Sequence, residues 1–136
     1  ILNQKQFFDL VIFRGTIQHV PFPFLYLHLA YEALKPGGYV AFLATPNANS
    51  LYYKLFDTLP MLDDPTNFYI PSDTTLGNSL RNIGFRVAEI EYPYLRSAYS
   101  QPVRDHLRFL LKLLFRTPVQ FAFWKSSMNL IAVKPA

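Results

Sequence analysis

The sequence has 136 residues, 51% hydrophobic and 16% charged, which supports one folded core and excludes the low-hydrophobicity, high-charge composition of a disordered chain. The absence of cysteine excludes disulfides, thiolate metal sites and a cysteine nucleophile. The formal charge of +4 mildly favours anionic partners; the first residues lack the basic-then-apolar order of a secretion signal, and no uncharged apolar run could span a bilayer, so a cytoplasmic protein is expected.

Phe7 to Phe13 reads FFDLVIF, a nearly continuous apolar run that predicts a buried parallel strand. The loop RGTIQHVP follows, with Gly15 permitting a turn and Pro21 and Pro23 opening a helix over Phe22 to Leu34. Lys35-Pro36-Gly37-Gly38 stops that helix, and Tyr39 to Thr45 (YVAFLAT) predicts a second strand ending at Pro46-Asn47. Strand, helix and strand make a βαβ unit, whose crossover is right-handed and whose strands are parallel, so an α/β fold follows. A short helix is expected over Leu51 to Leu59, and Pro60 to Pro71 is an irregular connection that could act as a lid.

Ser72 or Asp73 can cap a helix running to Ile83 and closed by Gly84. Phe85 to Tyr92 (FRVAEIEY) alternates, with Phe85, Val87, Ala88 and Ile90 expected inward, as in a strand near a sheet edge. Pro93 to Pro102 is a tyrosine-rich loop, and Val103 to Phe115 a helix whose Val103, Leu107, Leu110, Leu111 and Leu114 keep helical spacing. Met128 to Val133 (MNLIAV) predicts the last strand.

The order of FDLVI, Gln18-His19, Leu34-Lys35-Pro36-Gly37-Gly38, a strand ending in Thr45-Pro46-Asn47, and Leu80-Arg81-Asn82-Ile83-Gly84-Phe85 resembles the small-molecule branch of the class I S-adenosylmethionine-dependent methyltransferases. The resemblance covers nearly the whole sequence and implies a Rossmann-like α/β sheet. It implies the cofactor's methionine part near Phe13, Arg14 and Gly15, with Thr16 on the methyl-donor side; a small acceptor is expected near Asn47, Tyr52, Tyr53, Tyr94 and Tyr99, and the basic, apolar helix before the last strand suits one that is hydrophobic or lipid-linked. His19 is the catalytic candidate, as general base or as orienter of its loop.

The family's glycine-rich loop, and the acidic residue that binds the ribose, have no counterpart here, and no G-x-G occurs in the sequence. The resemblance is therefore to the carboxyl-terminal part of a single methyltransferase domain, over residues 1–136, with a helical insertion at about 94–124. Within the family order 3-2-1-4-5-7-6, the strands present are equivalents of 4-5-7-6, the last antiparallel. Phe7 to Phe13 would then be an exposed apolar edge, expected to pair with a missing amino-terminal half or with another copy. S-adenosylmethionine is the implied cofactor of the intact enzyme, and tight binding to these residues alone is not expected.

The remaining candidates have ordinary structural readings beside them. Some relatives hold a divalent metal with an acid just before the histidine, but Gln18 is a poor hard-cation ligand, so no metal is expected. Asp63-Asp64 could be paired carboxylates for a cation, an acid-base pair, or simply solvated, and His28 and His106 suit surface or capping roles. The serine-nucleophile elbow and the phosphate-binding P-loop are both missing. Tyr52, Tyr53, Phe56, Phe68, Tyr69, Tyr92, Tyr94 and Tyr99 could line a substrate or pack beneath loops, and no basic groove or RNA-binding motif accompanies them, so nucleic acid is not expected. Arg104, Arg108, Lys112 and Arg116 form a basic stripe on a helix that either covers the sheet with its charges in water or lies on an anionic membrane. The rival to an enzyme is a non-catalytic module that binds through the exposed edge strand or through this helix.

Overall fold

The computed structural model describes residues 5–60, 62, 66–98 and 100–136. Along the chain run β1 (Phe8–Arg14), α1 (Pro23–Ala33), β2 (Leu34–Pro46), α2 (Leu51–Phe56), α3 (Asp73–Ile83), β3 (Arg86–Glu91), α4 (Pro102–Phe115) and β4 (Ser127–Val133). The strands form one sheet in the order β1-β2-β4-β3, with β1 and β2 parallel and β4 antiparallel to both neighbours. This is the order expected of a partial Rossmann-like methyltransferase sheet.

Local signals set the element ends. Ser72 caps α3: its hydroxyl accepts from Thr75 N–H at 3.0 Å, while Thr75 Oγ1 accepts from Ser72 N–H at 2.9 Å. Such a box satisfies two orphan amides of the first turn. Gly84 closes the helix at φ +118°, and a Cβ there would meet the Tyr31 hydroxyl at 3.0 Å, so both conformation and space require glycine.

β2 starts earlier than the predicted Tyr39. Leu34 already pairs with Phe8, after which the register slips so that Leu10 lies opposite Tyr39, placing Lys35 to Gly38 in a bulge within the strand. Gly37 N–H donates to Lys134 O (2.8 Å) and Lys134 N–H to Gly38 O (2.9 Å), so sheet pairing passes through the glycines. The Lys134 side chain is buried and donates to Tyr31 O (2.7 Å) and Leu34 O (2.9 Å), capping the carbonyls at the end of α1.

The main core lies on one face of the sheet. Leu27 and Ala30 of α1 and Leu76 and Leu80 of α3 pack on Val40 and Phe42 of β2 and on Met128, Leu130 and Ala132 of β4. Cutting a buried leucine such as Leu80 back to alanine would cost about 2–5 kcal/mol. β1 is less buried than its apolar run predicts: Val11 and Phe13 pack on the core, but Leu10 and Ile12 are 49% and 53% exposed. Among the described residues the strand is a sheet edge, and its second face, with Leu10 and Ile12, is exposed. Ala88, expected inward on β3, is exposed because it alternates with the inward Val87, and the register shift between Val87 and Glu89 then returns Ile90 to the core side.

A smaller aromatic core gathers Tyr52 of α2, Leu59, Phe121 and Phe123, with Phe109 of α4 stacked on Phe123 at 4.3 Å. Here the expected pose of α4 is reversed. Val103, Leu107, Leu110, Leu111 and Leu114 face outward, while Asp105 and Lys112 are 2% and 6% exposed. Tyr94 Oη–H and Gln101 N–H donate to the Asp105 carboxylate at 2.9 and 2.8 Å, and Lys112 Nζ donates to Thr117 O and Val119 O at 2.9 and 3.2 Å. These polar partners in the flanking loops turn the charged side inward, so the stripe expected in water is part of the packing at Lys112.

Candidate functional site

The carboxyl ends of β1 and β2 lie side by side, where open α/β sheets hold their ligands. Gly15, at φ +56°, turns the chain off β1 while its N–H donates to Leu43 O at 2.9 Å. Thr16 Oγ1 bonds back to Arg14 O at 2.8 Å and the Thr16 carbonyl accepts from His19 N–H at 2.9 Å, winding a short 3-10 turn over Ile17–His19. Arg14 and Thr16 are exposed, Gly15 is half-buried, and Phe13 stacks on Phe42 at 5.1 Å. The four residues expected at the cofactor are thus one continuous corner at the strand end.

The 3-10 turn is pinned by the connection that precedes α3. Phe68 N–H and Tyr69 N–H donate to Gln18 O at 2.9 and 3.3 Å, and His19 Nδ1 lies 3.1 Å from Thr66 Oγ1 and 3.3 Å from Thr66 O. Gln18 Nε2 approaches His19 Nε2 at 3.3 Å, so both ring nitrogens have partners. The Gln18 side chain is buried and, among the described residues, its Oε1 has no hydrogen-bond partner. Burying such an acceptor costs about 1–3 kcal/mol unless a donor arrives.

Beyond β2, Asn47 is fully buried and its amide ties three segments together. Its Oδ1 accepts from Asn49 N–H and Asp73 N–H, both at 3.1 Å, its Nδ2 donates to Asp73 Oδ2 at 3.4 Å, and its own N–H donates to Ser126 O at 3.1 Å. Asp73 also accepts from Tyr92 Oη (2.6 Å) and Asn49 Nδ2 (2.6 Å). Burial alone would push the Asp73 carboxyl up, but these bonds, with those from Thr74, outweigh it and hold the group at about 2. Burial, then the bond to Asp73, pushes the Tyr92 phenol up to about 12.

A cavity of about 510 Å³ lies at the same end of the sheet, lined by Ala44, Tyr94, Phe123, Ser127 and Asn129 among others. Asn129 Oδ1 accepts from Ala44 N–H at 3.0 Å, fixing the wall where β2 ends. Tyr94 lines it while its hydroxyl is held by Asp105, and burial followed by that bond pushes the phenol up to about 12. Tyr52 is elsewhere, buried in the aromatic core with its hydroxyl donating to Gln120 Oε1 at 2.9 Å. Tyr53 is half-buried, its phenol pushed up by burial and by Asp57. Tyr99, Asp63 and Asp64 lie outside the described residues.

Of the expected residues, then, Phe13 to Thr16 and His19 form one corner, Tyr94 lines the cavity, and Asn47 and Tyr52 are interior. Sequence reasoning missed the Asn47-Asn49-Asp73-Tyr92 network and the role of Asn129. In sequence Asp73 reads only as a helix cap, and the one further signal is the clustering of Asn47 and Asn49 in a strand-end turn. Among the described residues no group of three or more His, Asp or Glu could hold a metal ion.

The sequence model of a family described as "Methyltransferase domain" matches residues 1–90. No curated protein matches. Among solved structures, the chain is similar to a protein from Bacillus halodurans C-125 assigned as a methyltransferase, with a TM-score of 0.67 at 17% identity over 100% of this chain and 74% of that one. A SAM-dependent methyltransferase from Archaeoglobus fulgidus gives 0.61 at 24% identity, over 96% of this chain and 61% of that one. The phosphoethanolamine N-methyltransferase 2 of Haemonchus contortus, solved with phosphomonomethylethanolamine and S-adenosylhomocysteine, gives 0.58 at 20% identity, over 98% of this chain and 35% of that one. With the family match spanning 90 of 136 residues and the sheet order in agreement, the chain belongs to the class I S-adenosylmethionine-dependent methyltransferases.

Proposed function

We propose that these residues build one wall of a methyl-transfer site and that the cavity beside Ala44, Tyr94, Phe123 and Asn129 receives a small acceptor with an apolar body, hydrophobic or lipid-linked. The observation that carries this reading is position: the cavity sits at the carboxyl end of β2, the place where a parallel α/β pair presents ligands. Its walls are mainly apolar, with serines and Asn129 as the polar residues of the lining.

S-adenosylmethionine, when bound, supplies a methyl group already activated on a sulfonium, so the protein's work is chiefly to hold the partners in line. The residues present fit one end of that cofactor. The corner from Phe13 to Thr16 closes the strand end, and the buried, unpartnered Gln18 Oε1 is an acceptor suited to an ammonium group. Nothing equivalent to a glycine-rich cradle occurs in the sequence, so contacts to ribose and adenine fall to residues outside this stretch. In this reading His19, with both ring nitrogens engaged, acts as a positioning residue that holds the Thr66–Tyr69 segment against the turn.

The reading extends to the sheet. Residues 1–136 are proposed as the carboxyl-terminal part of the domain. A groove of about 770 Å³ between β1 and α1, lined by Phe8, Leu10, Val11 and Tyr26, supports the pairing of β1 with a further strand. Titration with S-adenosylhomocysteine, followed by backbone amide shifts, tests both parts. Shifts confined to Phe13 through His19, with affinity weaker than about 10 µM, are expected. Unchanged Phe13–His19 amides at saturating ligand would remove the cofactor assignment, and micromolar or tighter binding would remove the division of the site.

A further inference from the structure

The outward face of α4 is apolar along its length. Val103, Leu107, Leu110, Leu111, Leu114 and Phe115 are all exposed, from 42% at Leu111 to 89% at Val103. The helix is not loosely attached: Asp105, Phe109 and Lys112 fix the opposite side, so the exposed leucines cannot turn inward without breaking buried polar bonds. Exposed apolar patches of this kind mark interaction surfaces.

Charge identifies the occupant. Residues 102–126 hold five lysines and arginines against the single Asp105, a net +4, while the rest of the sequence holds eight basic and eight acidic residues. The whole excess positive charge of the chain is therefore concentrated in and just after this helix. Arg104 and Arg108 flank the leucine face, and Arg116 follows its last turn. A second copy placed face to face would bring these arginines together, and a strand completing the sheet at β1 would sit at the edge opposite β3, from which α4 departs. At 14 residues α4 is about 21 Å long and, among the described residues, no helix is long and apolar enough to cross a membrane.

We propose that α4 lies flat on an anionic phospholipid surface, its leucine face in the acyl boundary and its arginines at the phosphates. An amphipathic helix with basic flanks binds in this way, through buried apolar area plus attraction to anionic lipid. The docking is independent of the acceptor and of methyl transfer.

Flotation with vesicles of phosphatidylcholine, with and without phosphatidylglycerol, tests it. The protein is expected to float with the phosphatidylglycerol vesicles at low salt, and Leu110→Glu with Leu114→Glu to lower its partition by at least about tenfold. Because both leucines are exposed, the double variant should keep its thermal midpoint and its circular dichroism. Arg104→Gln with Arg108→Gln should remove most of the preference for anionic lipid. No flotation of the unaltered protein, equal flotation of the leucine variant, or a concentration-dependent dimer that this variant abolishes would each overturn the proposal.

Discussion

Asp105 and Lys112, seven residues apart on α4, are both buried and both face the body of the protein, yet neither is the other's partner. Each is satisfied by a flanking loop, Asp105 by Tyr94 and Gln101, Lys112 by the carbonyls of Thr117 and Val119. Lys112 also lies 5.2 Å from the Phe56 ring and 5.8 Å from that of Tyr52. The pair thus flanks Phe109 in the seam by which the helix docks.

Removing either residue should loosen α4. Asp105→Ala leaves the Tyr94 hydroxyl and the Gln101 amide unpaired, and a loss of about 2–3 kcal/mol is expected. Lys112→Ala should cost a similar amount. Arg108, half exposed and 3.7 Å from Asp105, should matter far less, with Arg108→Ala within about 1 kcal/mol of the parent. Urea unfolding of the three variants checks the order.

Acid should release the strand-end network. The Asp73 carboxyl is held at about 2, below the 3.8 of an ordinary aspartate, because bonds from Tyr92, Asn49 and Thr74 outweigh its burial. A depressed folded value means the stabilisation is present above pH 3.8 and lost as the pH falls toward 2, in total about 2 kcal/mol. At the other end, Tyr92 rises from 10.0 to about 12, so its contribution is present below pH 10 and lost as the pH climbs through 12. Asp73→Asn should flatten the acid limb of a stability-against-pH curve measured by urea midpoints.

The edge strand offers a direct test. Residues 1–136 alone should associate through β1, and Ile12→Lys, placing a charge on its exposed face, should reduce that association. Size-exclusion chromatography over a hundredfold dilution, about the range that resolves weak dimers, reads the outcome. A monomer at every concentration would count against edge pairing.

His19 separates two roles by kinetics. In an active enzyme containing these residues, loss of a general base would lower kcat by about 10²–10⁴-fold and remove a limb of the pH-rate profile. As a positioning residue, His19→Ala should instead raise KM for the acceptor with kcat within about tenfold, leave the pH profile unchanged, and be partly rescued by His19→Asn, which can still bond Thr66.

The sequence made the frame legible where a local rule has one solution. Ser72 and Gly84 announced both ends of α3, and two apolar runs joined by a helix implied the parallel pair β1-β2. What stayed hidden depended on distant partners. The spacing of Leu107, Leu110, Leu111 and Leu114 defines an apolar face, but only Tyr94, Thr117 and Val119 decide that the opposite face docks. Likewise Asn47 read as a strand-end turn residue, because its ties to Asp73 and Ser126 span 26 and 79 positions of sequence.

β4 sits at the centre of the sheet although it follows the other three strands in sequence, and among the described residues β3 pairs with β4 alone. During synthesis β3 must therefore wait, its ladder groups unpaired, until residues 127–133 have been made and threaded between it and β2. Such non-local closure is slow. Substitutions in β4, such as Leu130→Ala, should consequently lower the yield of folded protein at high translation rates more than equally destabilising changes in the β1-β2 pair, both strands of which precede residue 47.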